Sequence, residues 1–524
     1  MEGDANTKFL HTPAPNMRRR NMFLGLQNEA GDWIDDHKGI EDIIFQFYSF
    51  IFNTNHQSST KGRDTTVYDS HTLSHREQNI FSAPLRNSEI KIVLFSFKPS
   101  KVLGLDALHP IFYQKYWNIL EGKKTCFCKQ VFHTLEMNLE VNTTHMCLIS
   151  KCANAIVLKN FKPIGLYTMY KLITKIIVNR VKPILPSIIS PSQASFLSNR
   201  RACDNAIIVQ EYISHFKKIK GRNANKILKI DLEKAFDRLE LSFIRDTLLF
   251  FGFPSNTTKL IMSSIFTSSI FVLVNRSRTE YFKPSRGIRQ GDSIFLHLHH
   301  FLWRDYPEAL MQKCIMGIGS PTNFSQTGLK ISHLFFTDDL TLFARAYTKN
   351  CNTIIETLWE HKCKSSQKVN NIMSKVIFST NCQQEEVRLA RILTIKPSLS
   401  FGKYIAFPVF HKRPTNRDYQ FIIDSMQSKL AGWKTHFLNM AGRTILAKSS
   451  LGCISSHVMQ YIKLPAQVSN QINIIQRNII RGIIAAKRKM HLVGWKTMTK
   501  PRDEGGLGVQ TAENRNIATH TGLA

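Results

Sequence analysis

Two short stretches of this chain hold the carboxylates that could do chemistry. In KILKIDLEKAFDRLE a β-rich run ends at Asp231, and Asp237 follows in what reads as a helix. In ISHLFFTDDLTLF two consecutive acids, Asp338 and Asp339, interrupt two apolar runs that read as the arms of a hairpin. An acid at a strand end can face a cleft, and two acids in an apolar turn are costly to bury unless a cation visits them. A lone Asp pair is ordinarily a solvated turn. A strand-end Asp combined with an apolar-flanked pair suits something else: hard-oxygen coordination of two Mg²⁺ ions about 4 Å apart, one activating an attacking oxygen and the other stabilising a leaving one. Between the two stretches lies SRGIRQGDSIF. There Gly287 and Gly291 permit close backbone approach, while Arg286, Arg289 and Gln290 offer donors to a phosphate or a base pair.

The overall charge points to the same class of substrate. The chain has 524 residues with 70 Lys+Arg against 38 Asp+Glu, a formal charge of +32. Each phosphate met by Lys or Arg releases condensed counterions, so the expected partner is a nucleic acid. With 43% apolar and 10% aromatic residues there is enough material for a real core, which excludes wholesale disorder. No apolar run is long enough to span a membrane, and the polar start MEGDANTKFLHTPAPN is no secretory signal, so an intracellular setting is expected. The ten cysteines are scattered without C-x-x-C spacing, which predicts neither disulfides nor a zinc finger. Cys126 and Cys128, with His145, Cys147 and Cys152, come nearest to a cluster, but their gaps do not suit tetrahedral ligands. The LHLHH run at His297 to His300 has few carboxylates near it and reads as drift or core filling.

The elements that must position these residues follow from apolar spacing. Residues 1–87 read as short amphipathic segments, such as IEDIIFQFYSFIF, followed by a polar linker. The Arg cluster between Met17 and Asn21 reads as a solvated face that could also meet phosphate. Spacing over 88–225 is mostly helical, clearest in YKLITKIIVNRVKPIL, where basic residues ride beside an apolar stripe. From 226 to 410 short β runs (ANKILKIDL, SIFVLVN, ISHLFF, SKVIFST) alternate with helices, predicting an α+β domain around an antiparallel sheet. The pattern is helical again over 411–485, leaving 486–524 as a short C-terminal region.

With those motifs in hand, the chain resembles the reverse transcriptases of plant non-LTR (LINE-type) retrotransposons, in the right order over nearly its whole length. IDLEKAFDRLE is similar to the first catalytic motif, with Asp231 at the metal-binding position and Phe236 at the aromatic position that screens the sugar 2′-hydroxyl. RGIRQGD resembles the template and primer grip, and FTDD the second metal-binding motif, with Thr337 in place of the usual Ala. NTKFLH, GLDALHPIFYQKYW, FKPIGLYTMYKLITKIIVNRVKPILP and QASFLSNRRACDN resemble the lead-in and fingers. KYIAFPVF, QSKLAGWKTHFLNMAGRTILAKSSL and HLVGWKTMTKPRDEGGLG resemble the primer grip and thumb side.

The resemblance implies a right-handed polymerase: fingers at 88–225, a palm at 226–410 and a helical thumb at 411–485. It implies RNA-directed DNA synthesis with an RNA template, a DNA primer, dNTPs and two Mg²⁺ ions, for which Mn²⁺ could substitute, and a nuclear setting. By the same resemblance Asp231, Asp338 and Asp339 hold metal, and Lys162, Phe236, Gln290 and Gly291 meet the dNTP. Arg286, Gly287 and Arg289 meet template and primer. Lys375 becomes the nearest donor of a proton to pyrophosphate, because Met373 replaces the family's first Lys. Other departures are Asn199 and Ala406 in place of Gly, and Ser293-Ile294-Phe295-Leu296 in place of a Pro-Leu-Ser-Pro turn. Family members carry an endonuclease before the polymerase and often a Cys/His-rich or ribonuclease H segment after it, so the chain reads as a polymerase fragment. A catalytically inactive nucleic-acid-binding remnant is the alternative; an intron-encoded maturase fits the C-terminal matches less well.

Overall fold

A computed structural model describes residues 22–54, 72–99, 108–294, 322–323, 330–430, 438–483 and 493–521, apart from 153, 167–168, 196, 198, 217–218, 220–223, 276 and 383–384. NTKFLH, the Arg cluster after Met17, Asp106 and the His run after Leu296 lie outside the described residues.

The centre is a four-stranded antiparallel sheet. Its strands are β3 (Asn225–Ile230), β5 (His333–Phe336), β6 (Asp339–Arg345) and β7 (Lys375–Phe378), in the spatial order β5-β6-β3-β7. β3 is covered on both faces: Ile227, Leu228 and Ile230 are fully buried and even Lys226 is enclosed, while Lys229 keeps part of its surface open. On one face Leu228, Ile230, Leu340, Leu342 and Val376 enter the main core with α5 (Leu241–Phe250) and α7 (Thr348–Ser365). On the other, Ile227, Phe343 and Ile377 pack with α4 (Ala202–Phe216), Phe401, Tyr404 and Phe407. This is the α+β architecture expected from the sequence.

A second sheet was not legible in the apolar spacing. β1 (Thr143–Ser150) and β2 (Phe161–Leu166) form an antiparallel hairpin inside the stretch that reads as helical, because the outward positions at the start of TTHMCLIS are Thr143, His145 and Cys147 rather than charged residues. β4 (Ser269–Val274), the SIFVLVN run, joins this sheet parallel to β1 instead of joining the central one. Helix α1 (His37–Phe52), capped by Asp36 accepting from the Gly39 amide, lays Ile40, Ile44, Tyr48 and Ile51 on this second sheet. The C-terminal helices α8 (Gln420–Leu430), α9 (Gly452–Met459) and α10 (Ala466–Arg481) share a separate core of Ile422, Met426, Leu451, Val468, Ile472 and Ile479. The segment after Asp231 is not a helix. Lys234 takes φ +47°, so the chain turns through 234–238 and carries Asp237 inward.

Two buried histidines give this core a pH dependence. His333 on β5 and His361 on α7 are held neutral by burial, each pushed down to about 4 from an ordinary value of 6.5. Below 6.5 the unfolded chain takes up protons that the folded chain refuses, so stability present at pH 7 is lost as pH falls from 6.5 toward 4. The loss reaches at most about 2 kcal/mol per histidine by pH 5. His361 also hydrogen-bonds the Gln367 Oε1 (2.8 Å), and the Gln367 amide holds the Ala235 carbonyl (2.6 Å), so the loss reaches the Asp231 segment. Urea unfolding at pH 7.5 and pH 5 should show this drop, with a shallower one in His361→Gln. Equal drops in both proteins would contradict it.

No helix among the described residues is long and apolar enough to cross a membrane. The described cysteines are free thiols.

Candidate active site

The register of the two central strands sets the site. Leu340 pairs with Ile230, so Asp339, which opens β6, and Asp231, which follows β3, stand side by side at the same sheet end. Asp338 lies one residue earlier, in the two-residue turn between β5 and β6. Thr337, the other turn residue, has φ +57°, a conformation strained for a β-branched side chain, and its amide donates to the Ser195 Oγ (3.1 Å). The QAS segment also runs along β5: the Phe335 amide donates to the Ser192 carbonyl (2.9 Å) and the Ala194 amide to the Phe335 carbonyl (3.2 Å). Its role is to brace the Asp turn from behind.

All three carboxyls are pushed above the ordinary Asp range. Burial is the main cause for each, and charge crowding adds to it: Asp339 acts on Asp231, and both act on Asp338. Asp338 keeps open surface toward the cleft although protein surrounds it on most sides. Three cations oppose the crowding. Lys229 acts on Asp231 and Asp339, Lys162 on Asp338, and Lys151 on Asp231. Lys162 lies exposed on β2 and Lys151 just past the end of β1, so one hairpin brings two ammonium groups toward the acids. Lys151 escaped the sequence reading, because its place follows from the β1–β2 hairpin that the apolar spacing hides.

The SRGIRQG segment lies against the turn that follows Asp231. The Gly287 amide donates to the Leu239 carbonyl (2.7 Å) and the Ile288 amide to the Phe236 carbonyl (3.0 Å). At Gly287, with φ +86°, a Cβ would lie 2.5 Å from the Asp237 carbonyl oxygen, so only glycine fits. Gly291 has φ +99°. The Gln290 amide donates to the Asp237 Oδ1 (3.2 Å), and the Gln290 carbonyl accepts from the Gly165 amide (3.0 Å), tying this segment to β2. Phe236 is half-buried at the margin of the main core, next to Gln290's segment.

The two arginines of this segment, expected to face template and primer, are turned inward. Arg286 donates to the Ile51 (2.7 Å) and Phe50 (3.2 Å) carbonyls and so caps the C-terminus of α1. Arg289 donates to the Asn142 carbonyl (3.1 Å) and Oδ1 (2.8 Å), the Thr144 Oγ1 (2.7 Å) and the Ser264 carbonyl (2.8 Å), with its guanidinium 3.9 Å from the Tyr170 ring centre. Tyr170 in turn donates to Asp292. Both arginines are buried, so they hold the segment in place rather than present charge to a ligand. Lys375 is exposed at the head of β7, paired with Lys229 across the sheet and therefore on the same face.

Among the described residues no three His, Cys, Asp or Glu side chains close into a ready ligand cage. The three acids form an open set of hard oxygens with mutually repelling charges. That fits Mg²⁺, which keeps several waters and binds through one or two carboxylates plus substrate phosphates.

Residues 149–389, just under half of the chain, match the family described as reverse transcriptase (RNA-dependent DNA polymerase). The chain is 22% identical over 511 residues to the Transposon TX1 uncharacterized 149 kDa protein of Xenopus laevis, covering 97% of this chain and 38% of that protein. It is 27% identical over 192 residues to the Retrovirus-related Pol polyprotein from type-2 retrotransposable element R2DM of Drosophila melanogaster, covering 36% of this chain and 17% of that one. A protein of Arabidopsis thaliana is 36% identical over 111 residues, 21% of this chain and 18% of its own length. The chain thus spans well under half the length of these relatives. A solved apo telomerase from Candida tropicalis overlaps 52% of this chain and 56% of its own at 12% identity and a TM-score of 0.32, too slight a likeness to bear on the site. Residues 149–389 are thus similar to reverse transcriptases, and the chain along most of its length is similar to a protein of a transposable element.

Proposed function

We propose that this chain is the RNA-directed DNA polymerase of a plant-type non-LTR retrotransposon, acting in the nucleus on an RNA template, a DNA primer and dNTPs. The observation that carries the reading is the placement of Asp231, Asp338 and Asp339 at one end of the central sheet, opposed by Lys151, Lys162 and Lys229. The 36% identity to an Arabidopsis protein supports the plant assignment. Fingers correspond to 88–225, palm to 226–410 and thumb to 411–485.

Asp231, Asp338 and Asp339 would hold two Mg²⁺ ions, or Mn²⁺ in their place, which when bound supply Lewis-acid activation of the primer 3′-hydroxyl and charge stabilisation at the leaving oxygen. A bond forms between the 3′-oxygen and the α-phosphorus as the hydroxyl proton passes to water, and the bond to the pyrophosphate oxygen breaks. Lys162 and Lys151 neutralise the triphosphate. Phe236 walls the sugar, while Gln290 and Gly291 line the nascent pair. Gly287 lets the RGIRQG segment lie close, with Arg286 and Arg289 as its braces. Lys375, on the carboxylate face, donates the proton to pyrophosphate. A binding-only remnant is the second reading, favoured by Ser293-Ile294 after Asp292, where Ile294 is buried and its amide is fixed by the Asp292 Oδ1 (3.1 Å).

Primer extension on an RNA template, with and without Mg²⁺, tests the proposal. DNA product only with the metal is expected; binding without extension in either Mg²⁺ or Mn²⁺ favours the remnant. Binding itself should weaken by about 10³-fold or more between 50 and 200 mM salt, as expected for six or more phosphate contacts. Affinity that ignores salt would remove nucleic acid as the partner.

A further inference from the structure

The loop between Gln367 and Lys375 wraps the end of β3. Lys368 and Val369 pair antiparallel with Glu233 and Leu232, which brings Asn370 beside Asp231. Three hydrogen bonds close the contact: the Asn370 amide N–H donates to the Asp231 carbonyl (2.8 Å), the Asp231 amide to the Ser374 Oγ (3.0 Å), and the Asn370 side-chain amide to the Asp231 Oδ2 (3.0 Å). Within the loop, the Ser374 amide donates to the Asn370 carbonyl (2.9 Å) and the Met373 amide to the Asn370 Oδ1 (3.3 Å), so the side chain is oriented before it reaches the acid.

We propose that Asn370 is a positioning residue: its side-chain amide fixes the Asp231 carboxylate with Oδ2 engaged and Oδ1 directed to a divalent cation. This rests on the reading of Asp231 as a metal ligand. A neutral donor suits the task, since it orients the oxygen and favours the ionised form without supplying a cation to compete with the metal. The hydrogen bond does pull Asp231 down against burial and the charge of Asp339. A loop that merely led into β7 would need the backbone pairing and the Ser374 contact, but not a side-chain bond to the acid.

Two variants separate the roles. Asn370→Ala removes the carboxylate's donor; Ser374→Ala loosens the same loop at the Asp231 amide and leaves the carboxylate bond. Binding of Mn²⁺ to the full chain, followed by electron paramagnetic resonance without nucleic acid or nucleotide, should weaken about tenfold in Asn370→Ala, the lower range for loss of a group that orients a ligand. It should change less than about twofold in Ser374→Ala, with similar melting temperatures for both. The Mg²⁺ concentration giving half-maximal extension should shift by the same factors. Unchanged Mn²⁺ affinity in Asn370→Ala overturns the proposal, as does an equal loss in Ser374→Ala, which would leave only loop integrity. Absence of Mn²⁺ binding in the parent chain overturns the metal reading of the site and this inference with it.

Discussion

Asp338→Asn should lower primer extension on the order of a thousandfold while leaving the chain folded and bound to RNA. The magnitude follows from losing one anionic ligand of a metal whose charge stabilisation contributes several kcal/mol to the transition state, at about 1.4 kcal/mol per factor of ten. Stability should move the other way. Burial and the charges of Asp339 and Asp231 push the Asp338 carboxyl up, so its ionised form works against the metal-free fold at neutral pH. An isosteric neutral amide relieves that repulsion, and the melting temperature should hold or rise. Extension at the parental rate would contradict the assignment of Asp338; loss of extension accompanied by unfolding would reduce its role to structure.

Phe236→Ala should admit ribonucleotides, reducing the preference for dNTPs by about a hundredfold, the discrimination that a pocket wall can exert against one added hydroxyl. The ring stands five residues after Asp231 in sequence, in the turn clamped by the Ile288 amide and next to the segment bearing Gln290. Because Phe236 is half-buried at the core margin, its truncation should cost less than the roughly 3–5 kcal/mol of a fully buried Phe. Equal losses with both sugars and a large drop in melting temperature would leave Phe236 as packing alone. Incorporation of dNTPs and rNTPs measured beside thermal unfolding separates the two.

The carboxylates were legible because their signal is local. Asp338 and Asp339 sit between apolar runs that can only be paired strands, and Asp231 ends a run covered on both faces. The Arg286 and Arg289 donors were read as free because sequence shows what a side chain can donate and not where acceptors more than a hundred residues away will stand. Ile51, Asn142 and Thr144 come to them only through the tertiary fold. The second sheet was hidden for the same reason, since β1 and β4 meet in parallel across a long connection. Asp237 was placed on a helix because KAFDRLE has helical spacing, but the left-handed Lys234 and the close approach at Gly287 override propensity there. Asn370 gave no signal beyond a polar loop; its meaning depends on the pairing of Val369 with Leu232.

Templated nucleotide addition is the reaction that the three carboxylates must support. A labelled DNA primer annealed to RNA strands differing in one templating base, given one dNTP at a time with Mg²⁺, should grow by a single residue only with the complementary dNTP and release one pyrophosphate per addition. A purified chain that binds the primer–template tightly yet adds no nucleotide to any of the four templates, in Mg²⁺ or Mn²⁺, would contradict it.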